Sequence, residues 1–179
     1  SQNKIFALVD MNNFYVSCER VFKPSLNKKS TIILSNNDGC TVSRSQEAKD
    51  LGIRNGVPLF QIKDIVERHN VQVLSSNYAL YAEMSRRAMK LLGEFVSPHE
   101  IFEYSIDESF LDLTAYAANI DLTEYGHTIL ARLLKCLSLP ACIGFGRSLT
   151  EAKLANHIAK KNKQFNGVCN LTAIDYCWT

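Results

Sequence analysis

The sequence predicts an α+β fold: a ferredoxin-like β-α-β-β-α-β core with a small α/β segment inserted after its first helix. Three observations carry that expectation. A short apolar run, Ile5 to Val9, stops at Asp10 and gives way to a helical pattern. Two strand-like runs, Ile101 to Ser105 and Phe110 to Leu113, are parted only by Ile106-Asp107-Glu108-Ser109, which reads as a hairpin. Apolar residues at 80, 81, 84, 88, 91 and 92 draw one face of a long amphipathic helix over Tyr78 to Phe95.

Taken in order, Ile5 to Val9 suits a fully buried strand, and Asn12 and Asn13 suit the cap of the helix that follows. Phe14, Cys18 and Phe22 recur at helical spacing, so Phe14 to Phe22 is predicted helical. Shorter elements follow: a strand at Thr31 to Leu34, a polar turn at Ser35 to Gly39 and a helix near Ser43 to Leu51. Gly52, Gly56 and Pro58 punctuate the chain before a short helix through Phe60 to Val66 and a strand at Val71 to Leu74. The core then resumes with the long helix and the hairpin, a helix over Leu122 to Leu137, a strand at Ala141 to Phe145 after Pro140, and a helix from about Thr150 to Lys161. In this topology the first strand is central and is expected beside the strand that enters the hairpin, bringing Asp10 towards the Asp107-Glu108 turn.

Composition removes several classes. The 179 residues carry 20 Lys and Arg against 18 Asp and Glu, a net charge of +2, and 46% are apolar. This excludes a disordered or collagen-like chain, and no apolar run approaches the roughly 20 residues of a spanning helix. Ser1-Gln2-Asn3-Lys4 does not lead into a long apolar segment, so a cytoplasmic protein without membrane association is expected. The six cysteines, at 18, 40, 136, 142, 169 and 177, form no C-x-x-C pair and are expected as free buried thiols. Charge is uneven: no acid lies between Ala152 and Ile174, a stretch that holds Lys153, Lys160, Lys161 and Lys163. That suits either a polyanion or a plain solvated helix face.

Asp10, Asp107 and Glu108 are the candidate catalytic cluster. Each acid alone suits a cap or a turn equally well. Three carboxylates at one sheet edge repel one another, and a divalent cation relieves this. Such oxygen donors suit Mg²⁺, and two ions can hold the attacking and leaving oxygens of a phosphoryl transfer. The helix start after Asp10 offers backbone N–H groups to a triphosphate, with Lys153 and Arg147 as candidates for the opposite wall.

Five ordered blocks carry a family resemblance: ALVDMNNFYVSCE (7–19), LSNNDGCTVSRSQEAKDLGIRNGVP (34–58), SSNYALYAEMSRRAM (75–89), YSIDESFLDLT (104–114) and AKLANHIAKK (152–161). Together they resemble the Y-family translesion DNA polymerases, in their bacterial UmuC branch, over essentially the whole chain. The resemblance implies a palm formed by residues 1–23 and 76–179 and a fingers insertion at 24–75. It implies two Mg²⁺ ions on Asp10, Asp107, Glu108 and the backbone carbonyl of Met11. It implies nucleotide contacts by Asn12, Asn13, Phe14 and Tyr15, with Tyr15 as the steric gate against a ribose hydroxyl. By their residue types alone, Phe14 and Tyr15 also read as helix core.

Ser43, Gln46, Lys49 and Lys153 match substrate-binding positions. Gln46 stands where an aromatic is commoner and Lys49 where an arginine is, which leaves a point charge in place of a bidentate fork. Arg147-Ser148-Leu149 replaces a stretch that usually carries a lysine. The implied partners are primer-template DNA, deoxynucleoside triphosphates, a UmuD-type accessory subunit and a recombinase filament. The family's thumb and little-finger domains match nothing in these residues, so weak, distributive extension in SOS translesion synthesis is expected. Two alternatives stand beside this: a catalytically silent truncated relative that binds nucleotide or partners, and a nucleotide cyclase or other palm-fold transferase, which leaves the 34–58 block without a role.

Overall fold

The computed structural model describes residues 3–173. The described chain divides into two compact units: one takes the residues up to Asn12 and from Ser85 onward, the other Asn13–Met84. Packing assigns the first helix and the start of the long helix to the smaller unit.

The larger unit is built on a five-stranded sheet of β1 (Phe6–Met11), β5 (Ile101–Ser105), β6 (Glu108–Asp112), β7 (Ala141–Gly146) and β8 (Val168–Asn170), in the order β5-β6-β1-β7-β8. Neighbours are antiparallel except β7 and β8, which run parallel. The first strand is central as expected, but it pairs with β6, the strand leaving the hairpin, and not with the one entering it. The hairpin turn is only Ile106-Asp107, so Glu108 opens a strand where a turn residue was expected. β1 also ends two residues beyond its apolar stretch, which puts Asp10 inside the strand.

Two helices cover opposite faces of this sheet. α5 (Leu122–Leu137) matches its predicted span, and Asp121 caps it by accepting the Glu124 N–H. Gly126 lets it close on Ile143, Phe145 and Val168, since a Cβ there would lie 2.9 Å from Phe145 and Val168. α6 (Leu149–Lys161) is capped by Ser148 and packs its Ala152 on the face that carries Leu8 and Phe110. A Cβ at Gly144 would meet the α6 backbone at 2.1 Å, at the Asn156 nitrogen, so α6 rests directly on the β7 main chain. Buried Asn156 ties the layers, its side-chain amide donating to the carbonyls of Leu8 (3.2 Å) and Cys142 (3.1 Å).

The smaller unit holds α1 (Phe14–Phe22), α2 (Gln46–Asp50), α3 (Lys63–Arg68) and a three-stranded sheet of β2 (Thr31–Leu34), β3 (Thr41–Arg44) and β4 (Gln72–Ser75), ordered β3-β2-β4. Ile32, Ala48, Ile53, Ile62 and Val71 form its core. The helix expected over Ser43 to Leu51 is instead a strand, then Ser45 as cap, then the short α2. α4 (Tyr78–Leu92) contains the joint between the units.

Five cysteines are described and all are free; Cys18, Cys142 and Cys169 are buried as expected, whereas Cys40 is half-buried and Cys136 is exposed, and Cys177 lies outside the described residues. Burial pushes the Cys18 thiol up to about 12. Among the described residues no helix is long and apolar enough to cross a membrane.

Candidate functional site

In the larger unit, register places Asp10 opposite Glu108 across the β1–β6 pair, with Cys142 as its partner on β7. Cross-strand partners share a sheet face, so both carboxylates lie on the face that α6 covers. The Met11 N–H donates to the Asp107 carbonyl at 2.9 Å, which fixes the hairpin turn against the end of β1. The Asn12 N–H donates to the Pro140 carbonyl at 2.9 Å, and the Asn12 amide reaches the Cys142 sulfur at 3.4 Å. The Ser85 hydroxyl donates to the Ile106 carbonyl from α4, pinning the turn from its other side.

The electrostatics follow from this crowding. Burial pushes the Glu108 carboxyl above its ordinary value, and the charges of Asp10 and Asp107 push the same way. Lys160 and Lys153 act against them. The Lys160 ammonium forms an ion pair with buried Asp10, and Asp107 accepts the Ser105 hydroxyl at 2.9 Å. Among the described residues no group of three or more His, Cys, Asp or Glu side chains stands arranged to hold a metal ion. The expected cluster therefore has neighbouring backbones, while two of its side chains face protein partners. The donor set of carboxylate oxygens still has the chemistry Mg²⁺ requires.

Other expected site residues fall unevenly. Arg147 follows Gly146, which pairs with Phe6 at the other end of β1. That is roughly 13 Å along the strand from Asp10 at ~3.3 Å per residue. Its guanidinium donates to the Thr172 carbonyl at 2.7 Å, so Arg147 does not form a wall of this site. Lys153 on α6 donates to the Tyr104 hydroxyl at 2.9 Å. Lys160 carries no role in the motif reading. Its spacing of seven from Lys153, two helical turns along one face, is the signal that points to it.

In the smaller unit, Asn13 adopts a left-handed conformation (φ 46°) before α1 and makes no side-chain cap, contrary to the capping expectation. Phe14 is buried, as its core alternative has it. Tyr15 stacks on Tyr81 with centroids 4.2 Å apart and planes 11° from parallel, and Tyr78 meets both rings edge-on. The Tyr81 hydroxyl donates to Glu19 at 2.9 Å. Ser43 lies buried on β3. Gln46 donates to Asp50 across one turn of α2 at 2.8 Å, and Lys49 lies on the same helix.

The five-stranded sheet with its inserted lobe defines the palm-and-fingers portion of a Y-family DNA polymerase. The insertion ternary complex of Dbh DNA polymerase superposes with a TM-score of 0.82 at 25% identity, over 93% of this chain and 48% of that one. DinB from Sulfolobus solfataricus shares the fold with a TM-score of 0.81 at 24% identity, over 93% of this chain and 48% of that one.

The impB/mucB/samB family model matches residues 9–157, and the chain belongs to that family. Protein UmuC of Salmonella typhimurium is 49% identical over 172 residues, 96% of this chain and 40% of that protein. DNA polymerase IV of Dehalococcoides mccartyi is 31% identical over 159 residues, 87% of this chain and 40% of that protein. The chain thus spans about two fifths of the length of these curated relatives.

Proposed function

We propose that this chain is the palm and fingers of a UmuC-type DNA-directed DNA polymerase, acting in the cytoplasm in error-prone translesion synthesis during the SOS response to DNA damage. The observation that carries it is the pairing of Asp10 with Glu108 beside the Asp107 turn, under a helix that presents Lys153 and Lys160. Asp10, Asp107, Glu108 and the Met11 carbonyl would hold two Mg²⁺ ions. When bound, the ions neutralise charge on the attacking and leaving oxygens of nucleotidyl transfer.

The chain's own residues bind and orient the substrates. Lys153 and Lys160 offer ammonium groups to phosphate. Asn12 and Asn13 open the helix whose first N–H groups suit a triphosphate. Phe14 and Tyr15 lie under the sugar, and the Tyr15 ring leaves no room for a 2′-hydroxyl. Ser43, Gln46 and Lys49 contact the base and phosphates from the fingers. The partners on this reading are primer-template DNA, deoxynucleoside triphosphates, a UmuD-type subunit and a recombinase filament.

Primer extension tests the assignment. Asp107→Ala and Glu108→Ala should each abolish magnesium-dependent incorporation, a loss on the order of a thousandfold or more if most of the rate comes from charge stabilisation. Unchanged extension in either variant refutes it. Magnesium-dependent nucleotide binding without extension at any protein concentration would favour the silent-relative reading.

A further inference from the structure

Tyr104 presents a ring that is 56% exposed on β5. It meets Phe110 of β6 edge-on, with centroids 5.3 Å apart. Above the pair lies the Lys153 ammonium, 4.4 Å from the Tyr104 centroid and 5.9 Å from that of Phe110. It also donates to the Tyr104 hydroxyl at 2.9 Å. An exposed lysine ordinarily keeps its rotamer freedom, and ordering it has an entropic cost. The 2.9 Å and 4.4 Å distances together set the ammonium over the hydroxyl end of the Tyr104 ring, with the Phe110 ring behind it.

The location gives this arrangement a use. Phe110 is two residues beyond Glu108 on the same face of β6, and the Lys153 charge is felt at the Glu108 carboxyl. Lys160, paired with Asp10, lies about 10 Å further along α6 at 1.5 Å per residue. His157 projects from the helix between them, and no acid follows Ala152 before Asp175. The two ammonium groups thus flank the carboxylate edge along one helix, and only Lys153 is held by aromatic residues.

We propose that Tyr104 is a positioning residue, holding the Lys153 ammonium beside the carboxylate edge to receive a phosphate group of the substrate. The proposal rests on the polymerase reading. The ammonium has three N–H donors, so a phosphate oxygen can accept one while Tyr104 keeps another. Phosphate reaches this edge from two sources, the incoming triphosphate and the primer-strand backbone, with the same chemistry.

The test uses the whole chain and three measurements. Ring current from Tyr104 should shift the Lys153 ε-methylene protons upfield, a signature kept in Tyr104→Phe and lost in Tyr104→Leu. Binding of magnesium dATP and of a primer-template duplex is then titrated separately. Tyr104→Leu should weaken one of the two by about three- to tenfold, the range of an exposed cation–π contact with its hydrogen bond. Tyr104→Phe should weaken it by about two- to fivefold, the lower part of the range for loss of one net hydrogen bond. The Tyr104→Leu/Lys153→Gln double variant should bind no worse than Lys153→Gln alone. The arm that responds names the source of the phosphate.

If Lys153→Gln weakens binding while Tyr104→Leu changes neither arm, or if the two losses add, the proposal is overturned and the polymerase reading stands. A wild-type chain that binds neither probe overturns both. Should Tyr104→Leu fail to fold, Tyr104→Phe carries the test, and unaltered binding in both arms overturns the proposal.

Discussion

Tyr81 is fully buried, and its hydroxyl reaches Glu19 at the same time as its ring stacks on Tyr15. Burial and the neighbouring carboxylate both raise its pKa, so the hydroxyl remains a donor throughout the neutral range. Replacing it removes a buried ring and leaves a cavity. Tyr81→Leu should cost about 2–4 kcal/mol in urea unfolding, and a loss below about 0.5 kcal/mol would show that the stack is not a packing element. On the gate reading, Tyr15→Ala should admit ribonucleotides in primer extension, and an unaltered sugar preference counts against it.

Glu100 makes a second residue-scale case. Hydrogen bonds from Ser97, and then from the Tyr116 hydroxyl at 2.8 Å, hold its carboxyl below the ordinary range. A lowered folded value means the stabilisation is fully present above the unfolded carboxyl value of about 4.3 and is lost as pH falls through the folded one. Glu100→Gln should therefore flatten the acid limb of the stability–pH curve. An identical limb in the variant would remove the assignment.

Among the elements, α6 on β7 is the most constrained contact, because Gly144 and Gly146 let the helix backbone touch the strand backbone. Gly144→Ala must displace main chain and should destabilise by about 1–3 kcal/mol or prevent folding. Ser45 is the element-scale counterpart in the smaller unit, accepting the N–H of buried Thr31 at 2.9 Å and capping α2 through the Ala48 N–H at 3.2 Å. Ser45→Ala strands both donors and should cost about 1–3 kcal/mol, read by chemical denaturation.

Elements with a long repeat were legible from the sequence: α1 and α5 have the predicted bounds, because an apolar face recurs over nine and sixteen residues. β3 and β8 were not. Each has four residues or fewer and owes its strand state to a neighbour, Ile33 opposite Ser43 and Ile143 opposite Val168, which no local period records. The nearness of Asp10 to Glu108 was legible through topology, whereas the turn of Asp10 onto Lys160 depends on side-chain packing and was not.

At the scale of the whole molecule, a net charge of +2 conceals an acid-free stretch with four lysines. If that stretch supplies the grip on nucleic acid, log K should fall with log salt at a slope no steeper than about −4, since each neutralised phosphate contributes about −0.9. Fluorescence anisotropy of a labelled primer-template over a salt series measures it. A markedly steeper slope would show that cations elsewhere on the chain share the binding. The parallel pairing of β8 also extends the sheet past the four strands of the ferredoxin-like plan, so the chain after α6 returns to the core.

The Lys160 ion pair with Asp10 bears on the stability of the carboxylate edge itself. A built-in ammonium offsets the charge of the most deeply buried acid of the edge. In buffer free of divalent ions the wild-type chain should therefore fold and melt cooperatively, and a chelator should not change that. Added magnesium should raise the melting point of Lys160→Gln by more than that of the wild-type chain, as the divalent ion takes over a duty the lysine performed.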